Sequence, residues 1–227
     1  MVTGRVTSPP SEYSAAAIRC IAARGYEATT AEDLAEAIGV SRSTFFRRFG
    51  SKDDVVFAEH DHALSHLDDF LASTNAPPAD ALVQGASDVL RHLIRDPEAA
   101  RIRFELVRST PPLRDRELVI THRYERVFAR HLRDNLPVGT PAWVAGAIAS
   151  STVAVHNATL RGWLVGEIDD ATHHAARDLK HLLCLYDRWL SPDRPAERSR
   201  VLVAVYETES SPESVYEALA EQLGREG

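Results

Sequence analysis

Two short helical segments joined by a three-residue turn constrain the fold of this chain more than any other feature. The segments cover residues 31–38 and 42–49, and the turn is Gly39-Val40-Ser41. Glycine readily adopts the positive φ of a tight turn, and serine is a favoured N-cap for the helix that follows. The small Ala35 suits a place where two helices cross closely. This spacing predicts a helix-turn-helix unit.

The second segment presents two chemically different faces. Phe45 and Phe49 are one helical turn apart, so they share a face that is expected to pack on Leu34 and Ile38. Phe46 falls at the edge of that face. The opposite side carries Ser43, Thr44, Arg47 and Arg48. An apolar base below a short polar and basic face suits a helix that enters a DNA groove. A helical hairpin with an ordinary charged surface is the alternative that this pattern leaves open.

Capping residues predict where the neighbouring helices begin. Thr30, followed three residues later by Asp33, has the spacing of a capping box. Ser51 precedes a fourth helix that has acidic residues in its first turn. An earlier helix is expected over residues 11–25, ended by a glycine. The fourth helix is expected to run without interruption over residues 52–73.

The rest of the chain shows mostly helical periodicity, punctuated by proline and glycine. The predicted fold class is all-α, with an N-terminal three-helix DNA-binding domain that contains the helix-turn-helix and a larger C-terminal helical bundle for ligand binding and dimerisation. The expected domains are residues 1–56, residues 57–190 and a C-terminal extension of unknown role, residues 191–227. Further helices are predicted over residues 80–95, 97–108, 113–136, 141–166, 171–190 and 214–223, with a strand-like run over residues 200–208.

The overall charge does not argue against a DNA partner. The 227 residues carry a net charge of -7, yet Arg42, Arg47, Arg48 and Lys52 form a local basic cluster. Phosphate binding depends on where the charge lies, not on the total. No apolar run reaches the roughly 18–20 residues that a membrane span requires, and the polar N-terminus lacks a signal-peptide core. We therefore expect a cytoplasmic protein with no membrane partner.

Residues 14–56 resemble the DNA-binding region of the tetracycline-repressor (TetR) family of regulators. The resemblance rests on the segment GYEATTAEDLAEAIGVSRSTFFRRFGSKDDV. The residues that match the family pattern are Gly25-Tyr26, Thr29-Thr30, Leu34-Ala35, Ile38-Gly39-Val40-Ser41, Phe49 and Ser51-Lys52-Asp53. The resemblance implies a homodimeric, ligand-responsive transcriptional regulator. Such a repressor binds a palindromic operator in double-stranded DNA and is released by a small-molecule effector.

The resemblance and the two faces of the second segment together predict the DNA contacts. The candidates for entering the groove and reading bases are Arg42, Ser43, Thr44 and Arg47. The candidates on the phosphate side are Thr30, Phe46, Arg48 and Lys52. The family usually has tyrosine where this chain has Phe46, so Phe46 is expected to touch the DNA backbone only by van der Waals contact.

Two helices near the end of the predicted bundle are candidates for the dimer interface. Residues 143–163 are rich in small side chains, which lets other helices approach closely. The next helix repeats large apolar residues at helical spacing: Leu179, Leu182, Leu183, Tyr186 and Trp189. Paired across a two-fold axis, the two helices predict a four-helix interface. An intramolecular core is the alternative that this pattern leaves open.

A ligand pocket requires polar groups that face inward from the central helices. The candidates are Arg103, Glu105, Tyr124, His156, Asn157 and Arg161. The pair His156-Asn157 interrupts an otherwise apolar helix and is the most informative of these. For each candidate, the alternative is an exposed or locally satisfied polar residue.

The sequence predicts neither a metal site nor an enzyme. His62 and His66 have the i, i+4 spacing of metal ligands and Asp69 follows, but no cysteine or fourth ligand is near in sequence, so a solvated helix face is expected. Cys20 and Cys184 lie far apart and predict no disulfide framework. No common catalytic motif occurs and no cofactor is expected. An all-helical enzyme and a helical scaffold that does not bind DNA remain the alternatives.

Overall fold

The computed structural model describes residues 10–191, and this part of the chain contains eleven α-helices and no strand. The predicted all-α fold class is confirmed. The helices are α1 (Pro10–Arg24), α2 (Ala31–Ala37), α3 (Arg42–Phe49), α4 (Lys52–Val56), α5 (Ala58–Ser73), α6 (Pro78–Leu93), α7 (Pro97–Ser109), α8 (Pro111–Asn135), α9 (Ala142–Leu164), α10 (Ala171–Cys184) and α11 (Asp187–Leu190).

The first three helices surround a small core and begin at the predicted caps. Ile18, Ile21, Leu34 and Phe45 are fully buried there. Thr30 and Asp33 form a complete capping box at the start of α2. The Ser41 hydroxyl accepts the backbone N–H of Thr44 at 3.2 Å at the start of α3, and that of Ser51 accepts the N–H of Asp54 at the start of α4. Local hydrogen bonds therefore fix the ends of these short helices.

The predicted fourth helix is wrong in one respect, because it is broken at Phe57. The Val56 carbonyl accepts a hydrogen bond from the Ser14 hydroxyl of α1 at 2.8 Å. The next turn is tightened, since the His60 N–H donates to the Phe57 carbonyl three residues back. The Phe57 ring is buried at this point. Two separate helices, α4 and α5, therefore link the N-terminal helices to the bundle, and the helix is interrupted between them at Phe57.

The larger helices pack as a bundle in which α5, α6, α8, α9 and α10 are neighbours. Its core contains Leu82, Leu132, Ile148 and Leu179, all fully buried. The last predicted helix, residues 171–190, is wrong in extent. The chain leaves α10 after Cys184 through hydrogen bonds between residues three apart and then forms the short α11. Leu179 and Leu183 lie in the core of the chain itself, which favours the intramolecular alternative for these two residues.

The hydrophobic core is continuous between the N-terminal helices and the bundle, without a break at residue 56. One hydrophobic cluster reaches from Ile18 in α1 to Leu183 in α10, and the described residues form one compact unit. The boundary at residue 56 therefore stays a prediction about where DNA binding resides. The strand-like run over residues 200–208 and the final helix over residues 214–223 lie outside the described residues.

Candidate DNA-binding surface and interior cavities

The packing of α3 separates its apolar base from its outer face. Phe45 is 0% exposed, whereas the adjacent Phe46 is 42% exposed. Phe49 is partly buried, with its ring 5.4 Å from Phe45 and 6.1 Å from Tyr13. Gly39 in the preceding turn has φ +70°, in the left-handed region that glycine tolerates best. These positions agree with the helical phasing expected from the sequence.

The outer face of α3 carries the four groove candidates. Arg42 is exposed and pairs with Glu32 of α2 at 2.8 Å, so it is held toward the first helix of the motif. The hydroxyls of Ser43 and Thr44 lie within hydrogen-bond distance of the Ser41 hydroxyl. Arg47 is exposed and has no ionic partner among residues 10–191. A guanidinium without a partner is the side chain most available to an external anion or base.

The phosphate-side candidates are held by the protein's own aromatic residues. The Lys52 ammonium donates to the Tyr26 carbonyl at 3.0 Å and lies 3.8 Å from the centre of the Tyr26 ring. The Arg48 guanidinium lies 4.3 Å from the centre of the Tyr13 ring. Such cation–π contacts fix the position of a charge without neutralising it. Arg48 on α3 and Lys52 at the start of α4 thus each present positive charge from a defined position.

Two further candidates have different settings. Thr30 is exposed, but its backbone N–H and its hydroxyl both donate to the Asp33 carboxylate, at 2.9 and 2.7 Å. Its capping role therefore leaves only limited capacity for a DNA phosphate. Phe46 presents an apolar edge beside Arg42, whose guanidinium lies 5.6 Å from the ring centre. These positions allow DNA contacts by all eight candidates, and those contacts remain predictions.

A small cavity, called here the central cavity, lies among α5, α6, α7, α8 and α9. Its volume is about 60 Å³. Four of the six residues proposed for ligand binding line it: Arg103, Tyr124, His156 and Asn157. The apolar part of the wall includes Leu93, Ile120 and Leu160. The helices thus bring together polar groups that are up to 54 positions apart in the sequence.

The expectation that Glu105 and Arg161 face inward is wrong. Both residues are exposed and neither lines the central cavity. Glu105 instead forms an ion pair with Arg108, one turn along the surface of α7, at 3.2 Å. The reason is helical phase, since residues two apart on a helix point about 200° apart, so Glu105 cannot share the inward face of Arg103. Arg161 lies beyond the inward face formed by His156, Asn157 and Leu160.

Arg103, which lines the central cavity, belongs to a buried ion pair. An Arg103 guanidinium nitrogen donates to a Glu59 carboxylate oxygen at 2.9 Å, and both side chains are at most 10% exposed. Burial raises the pKa of Glu59, while Arg103 beside it acts in the opposite direction. The pair therefore contributes no net charge to the wall as long as both partners stay ionised.

The two histidines and the tyrosine that line the central cavity are uncharged near neutral pH. Burial lowers the pKa of His156 to about 4, although a hydrogen bond to the backbone of Ala86 favours its protonated form. Burial also lowers the pKa of His60 and raises that of Tyr124. His156 thus joins α9 to α6, and its polar group is satisfied within the fold. This setting supplies neutral hydrogen-bonding groups to the cavity wall.

A second and larger cavity, called here the histidine cavity, lies between α5 and α6. Its volume is about 320 Å³. His62 and His66 of α5 and Asp88 and His92 of α6 line it, over a floor that includes Phe70. His66 is exposed, as expected for a solvated helix face, whereas His62 is only partly exposed and its ring lies beside that of His92. Asp88 and His92 lie on another helix, so no local sequence pattern could reveal this grouping.

The side chains of the histidine cavity do not form a ready metal site. No group of three or more His, Cys, Asp or Glu side chains in the described part of the chain is arranged to hold a metal ion. The imidazole rings nevertheless lie close together, with ring centres 4.3 Å apart for His62 and His66 and 5.2 Å apart for His62 and His92. Nε2 of His92 is buried without a hydrogen-bond partner.

Polar contacts connect the cavity helices to the N-terminal helices. Arg19 of α1 pairs with Asp96 and Glu98 at the start of α7, at 2.9 and 3.0 Å. Arg116 of α8 pairs with Asp54 of α4 at 2.5 Å. A displacement of α7 or α8 would therefore reach the helices that support α3. Within residues 10–191, no helix combines the length and apolar character needed to cross a membrane.

Comparison with known proteins identifies the N-terminal helices. The family model for bacterial regulatory proteins of the tetR family matches residues 15–58. The transcriptional regulator TcmR of Streptomyces glaucescens is 34% identical over 109 residues, which cover 43% of this chain and 46% of TcmR. The transcriptional repressor AcnR of Corynebacterium glutamicum is 33% identical over 94 residues, covering 40% of this chain and 44% of AcnR. The matches thus span less than half the length of either relative.

The similarity in fold extends through the bundle. The structure of SmeT in complex with triclosan matches 89% of this chain and 98% of SmeT, with a TM-score of 0.57 and 20% identity. At that identity the match shows a shared fold. The matched DNA-binding region includes α2, the turn at Gly39 and α3, the elements whose caps and phasing are described above. Residues 15–58 of this chain therefore match the tetR family of bacterial regulatory proteins.

Proposed function

We propose that the chain acts as a homodimeric transcriptional repressor that binds a palindromic operator and releases it when a small molecule binds. The observation that carries the proposal is the geometry of α3. Its base is fixed by the fully buried Phe45, and its outer face presents Arg47 with no ionic partner among residues 10–191. Such a helix can enter the major groove with its position already defined. A cytoplasmic location belongs to the same proposal.

A dimer follows from the size of the binding surface. One recognition helix covers too few base pairs for strong specificity, so two half-sites about 34–36 Å apart are expected. α9 supports the proposal with small, exposed residues one turn apart: Gly146, Ser150, Ala154 and Ala158. Leu185 beyond α10 is 75% exposed, and Trp143 at the start of α9 is 60% exposed. Footprinting on DNA selected by the protein tests this, since a single unrepeated half-site would contradict the dimer.

Replacing Arg47 with alanine should relax base preference at one operator position. A bidentate contact between arginine and guanine contributes about 1–3 kcal/mol of discrimination. Arg133→Ala is the matched control, because Arg133 is an exposed arginine of α8 with no ionic partner among residues 10–191. Gel shifts on the selected operator and on its single-base variants measure the effect. Equal weakening on every sequence would remove Arg47 from the groove.

Replacing Lys52 with alanine should weaken binding to all DNA sequences alike. The Lys52 ammonium is positioned by Tyr26, and a phosphate contact releases counterions, so its loss reduces the dependence of affinity on salt. The measurement is affinity at several salt concentrations for the operator and for unrelated DNA. An unchanged salt slope together with altered base preference would exchange the roles proposed for Lys52 and Arg47.

The ligand part of the proposal rests on the central cavity. Its volume of about 60 Å³ is smaller than the roughly 300 Å³ at which ligand pockets begin. A ligand must therefore push the surrounding helices apart. Displacement of α7 would act on α1 through the contacts of Arg19 with Asp96 and Glu98. Binding energy would then favour an arrangement of the helices other than the one that fits the operator.

Ligand and operator should weaken each other's binding by the same factor. A coupling free energy of about 1–3 kcal/mol corresponds to a roughly 5- to 150-fold change. Thermal-shift screening identifies a ligand, and triclosan, which is bound in the SmeT structure, is a suitable first compound. Calorimetry with free and with operator-bound protein then measures the coupling. Equal affinities in the two titrations would show that the compound does not act as the effector.

A further inference from the structure

We propose that the histidine cavity is a binding site for an uncharged, flat aromatic compound that bears a hydroxyl group. The histidine cavity shares no lining residue with the central cavity. The inference therefore goes beyond the proposed effector site and does not depend on it. It rests on the volume of the cavity, on the rings and small residues that shape it, and on imidazole nitrogens that have no hydrogen-bond partner.

The histidine cavity is large enough for a small aromatic compound without any movement of the helices. Its volume of about 320 Å³ falls at the lower end of the roughly 300–1,000 Å³ that ligand pockets occupy. Two of its lining residues, His66 and Asp88, are exposed, so the cavity is open to solvent on that side. A ligand can therefore enter without the separation of helices that the central cavity requires.

One side of α5 presents a row of rings to the cavity. His62, His66 and Phe70 follow one another at four-residue spacing, so they share a face along about 12 Å of the helix. The rings of His62 and His66 have their centres 4.3 Å apart and stand at 78° to each other. Edge-to-face and offset contacts of this kind are those that aromatic rings prefer. A flat aromatic ligand can add to the row through the same contacts.

The facing side of α6 is small where α5 is large. Gly85 has no side chain, and a Cβ atom at this position would lie 2.7 Å from Cδ1 of Leu67 and 3.6 Å from the ring of Phe70. Leu67 and Phe70 therefore pack directly on the backbone of α6. Leu67 and Val89 are buried and continue this apolar floor. The floor can remove the ring body of a ligand from water, which is the main source of affinity for an aromatic compound.

The imidazoles of the cavity offer hydrogen bonds that the protein leaves unmade. Within residues 10–191, the rings of His62, His66 and His92 form no hydrogen bond. Nε2 of His92 is buried and lies 3.9 Å from a carboxylate oxygen of Glu59, which is beyond hydrogen-bond distance. The His92 ring therefore breaks no hydrogen bond when it turns toward a ligand.

A hydroxyl group matches these imidazoles better than a group that only donates or only accepts. A neutral imidazole has one donor and one acceptor nitrogen. Burial lowers the pKa of His62 and of His92, which keeps both rings neutral near pH 7. Because a hydroxyl group both donates and accepts, it can pair with a ring nitrogen whether or not that nitrogen carries the proton.

The charges of the lining favour an uncharged ligand. Asp88 and Arg95 both line the cavity and carry opposite charges. An anionic ligand would meet the carboxylate of Asp88 and, behind His92, that of Glu59, whereas a cationic ligand would meet Arg95. A charge of either sign would thus lose its hydration and meet a like charge in the wall. A neutral hydroxyl group avoids both costs.

A matched set of naphthalene compounds tests the ligand class on the full chain. Naphthylmethanol, naphthoate, naphthylmethylammonium and methylnaphthalene share one ring system and differ only in the attached group. Calorimetry should give one naphthylmethanol per chain, bound at least about fivefold more tightly than each of the other three, the effect of roughly one hydrogen bond. Naphthylmethanol that fails to bind at its solubility limit, or that binds no more tightly than any one of the others, would overturn the proposal.

One variant and its control test the role of the ring row. His66→Ala removes an exposed ring, so it is expected to fold normally, and it should weaken the binding of naphthylmethanol at least about fivefold. His122→Ala is the matched control, because His122 is an exposed histidine on α8 outside the cavity. Its affinity should stay within about twofold of the parent chain. Unchanged affinity in His66→Ala would show that the compound binds elsewhere.

Histidine NMR spectra distinguish the two cavities in one titration. His62, His66 and His92 line the histidine cavity, whereas His60 and His156 line the central cavity. In a chain with isotope-labelled histidine rings, naphthylmethanol should shift the signals of the first three, which single-histidine variants assign. Shifts confined to His60 and His156 would place the compound in the central cavity and overturn the proposal.

Discussion

Replacing Phe45 with alanine should destabilise the protein by about 3–5 kcal/mol, the usual effect of truncating a buried phenylalanine. Phe45 is 0% exposed and its ring contacts those of Phe46 and Phe49. It joins α3 to the core formed with α1 and α2, so its loss should free the recognition helix as well as create a cavity. Urea unfolding and operator binding should therefore weaken together.

Phe46→Ala is the matched control for this prediction. The two phenylalanines are adjacent in the sequence, but Phe46 is 42% exposed at the edge of α3. Its removal should change the free energy of unfolding by much less, because most of the ring contributes no core packing. Operator affinity should still fall if Phe46 touches the DNA backbone. Equal destabilisation by both substitutions would contradict the phasing of α3.

Phe49 is intermediate in burial between Phe45 and Phe46. It is partly buried and packs on Phe45 and Tyr13. The expectation that it faces the core agrees with the structure. Its truncation should therefore lower stability less than that of Phe45 and more than that of Phe46. The three variants together measure how the burial of α3 changes along its length.

The N-terminal helices could be predicted in detail because their signals are local. Thr30, Ser41 and Ser51 each cap a helix through a hydrogen bond to a residue three positions later. The two faces of α3 follow from helical periodicity within eight residues. Sequence patterns on this scale determine both the limits of a helix and its buried side. The tetR family model then matches residues 15–58, nearly the same residues whose pattern resembles that family.

The features that escaped prediction depend on residues distant in sequence. The break at Phe57 follows a hydrogen bond from Ser14, which lies 42 positions before Val56. The histidine cavity requires the register between α5 and α6, which no single helix reveals. The expectation that Glu105 faces inward could have been rejected from the sequence, because Glu105 lies on the side of α7 opposite to Arg103. The outward position of Arg161 could be seen only in the structure, since Arg161 lies only one turn beyond Asn157.

The buried pair of Glu59 and Arg103 is the second place where one substitution should have a large effect. Arg103→Met leaves the Glu59 carboxylate buried without its partner, and losses of this kind are typically about 3–5 kcal/mol at neutral pH. The double variant Arg103→Met, Glu59→Gln has no buried charge and should recover most of that stability. Urea unfolding at a fixed protein concentration compares the two with the parent chain, since dimerisation would otherwise alter the midpoint.

The effect of pH on Arg103→Met has a defined sign. Burial already raises the pKa of Glu59, and removing Arg103 takes away the largest influence that lowers it. A carboxyl group with a raised pKa in the folded state keeps its proton where the unfolded chain has lost it. The stability deficit of the variant should therefore grow as the pH rises above about 4.3, the unperturbed value for glutamate, until the folded pKa is passed. Toward pH 4 the deficit should shrink, because Glu59 is then mostly protonated in both states. A deficit that is constant between pH 4.5 and 7.5, or a double variant no more stable than Arg103→Met, would show that lost packing and not the buried charge explains the effect.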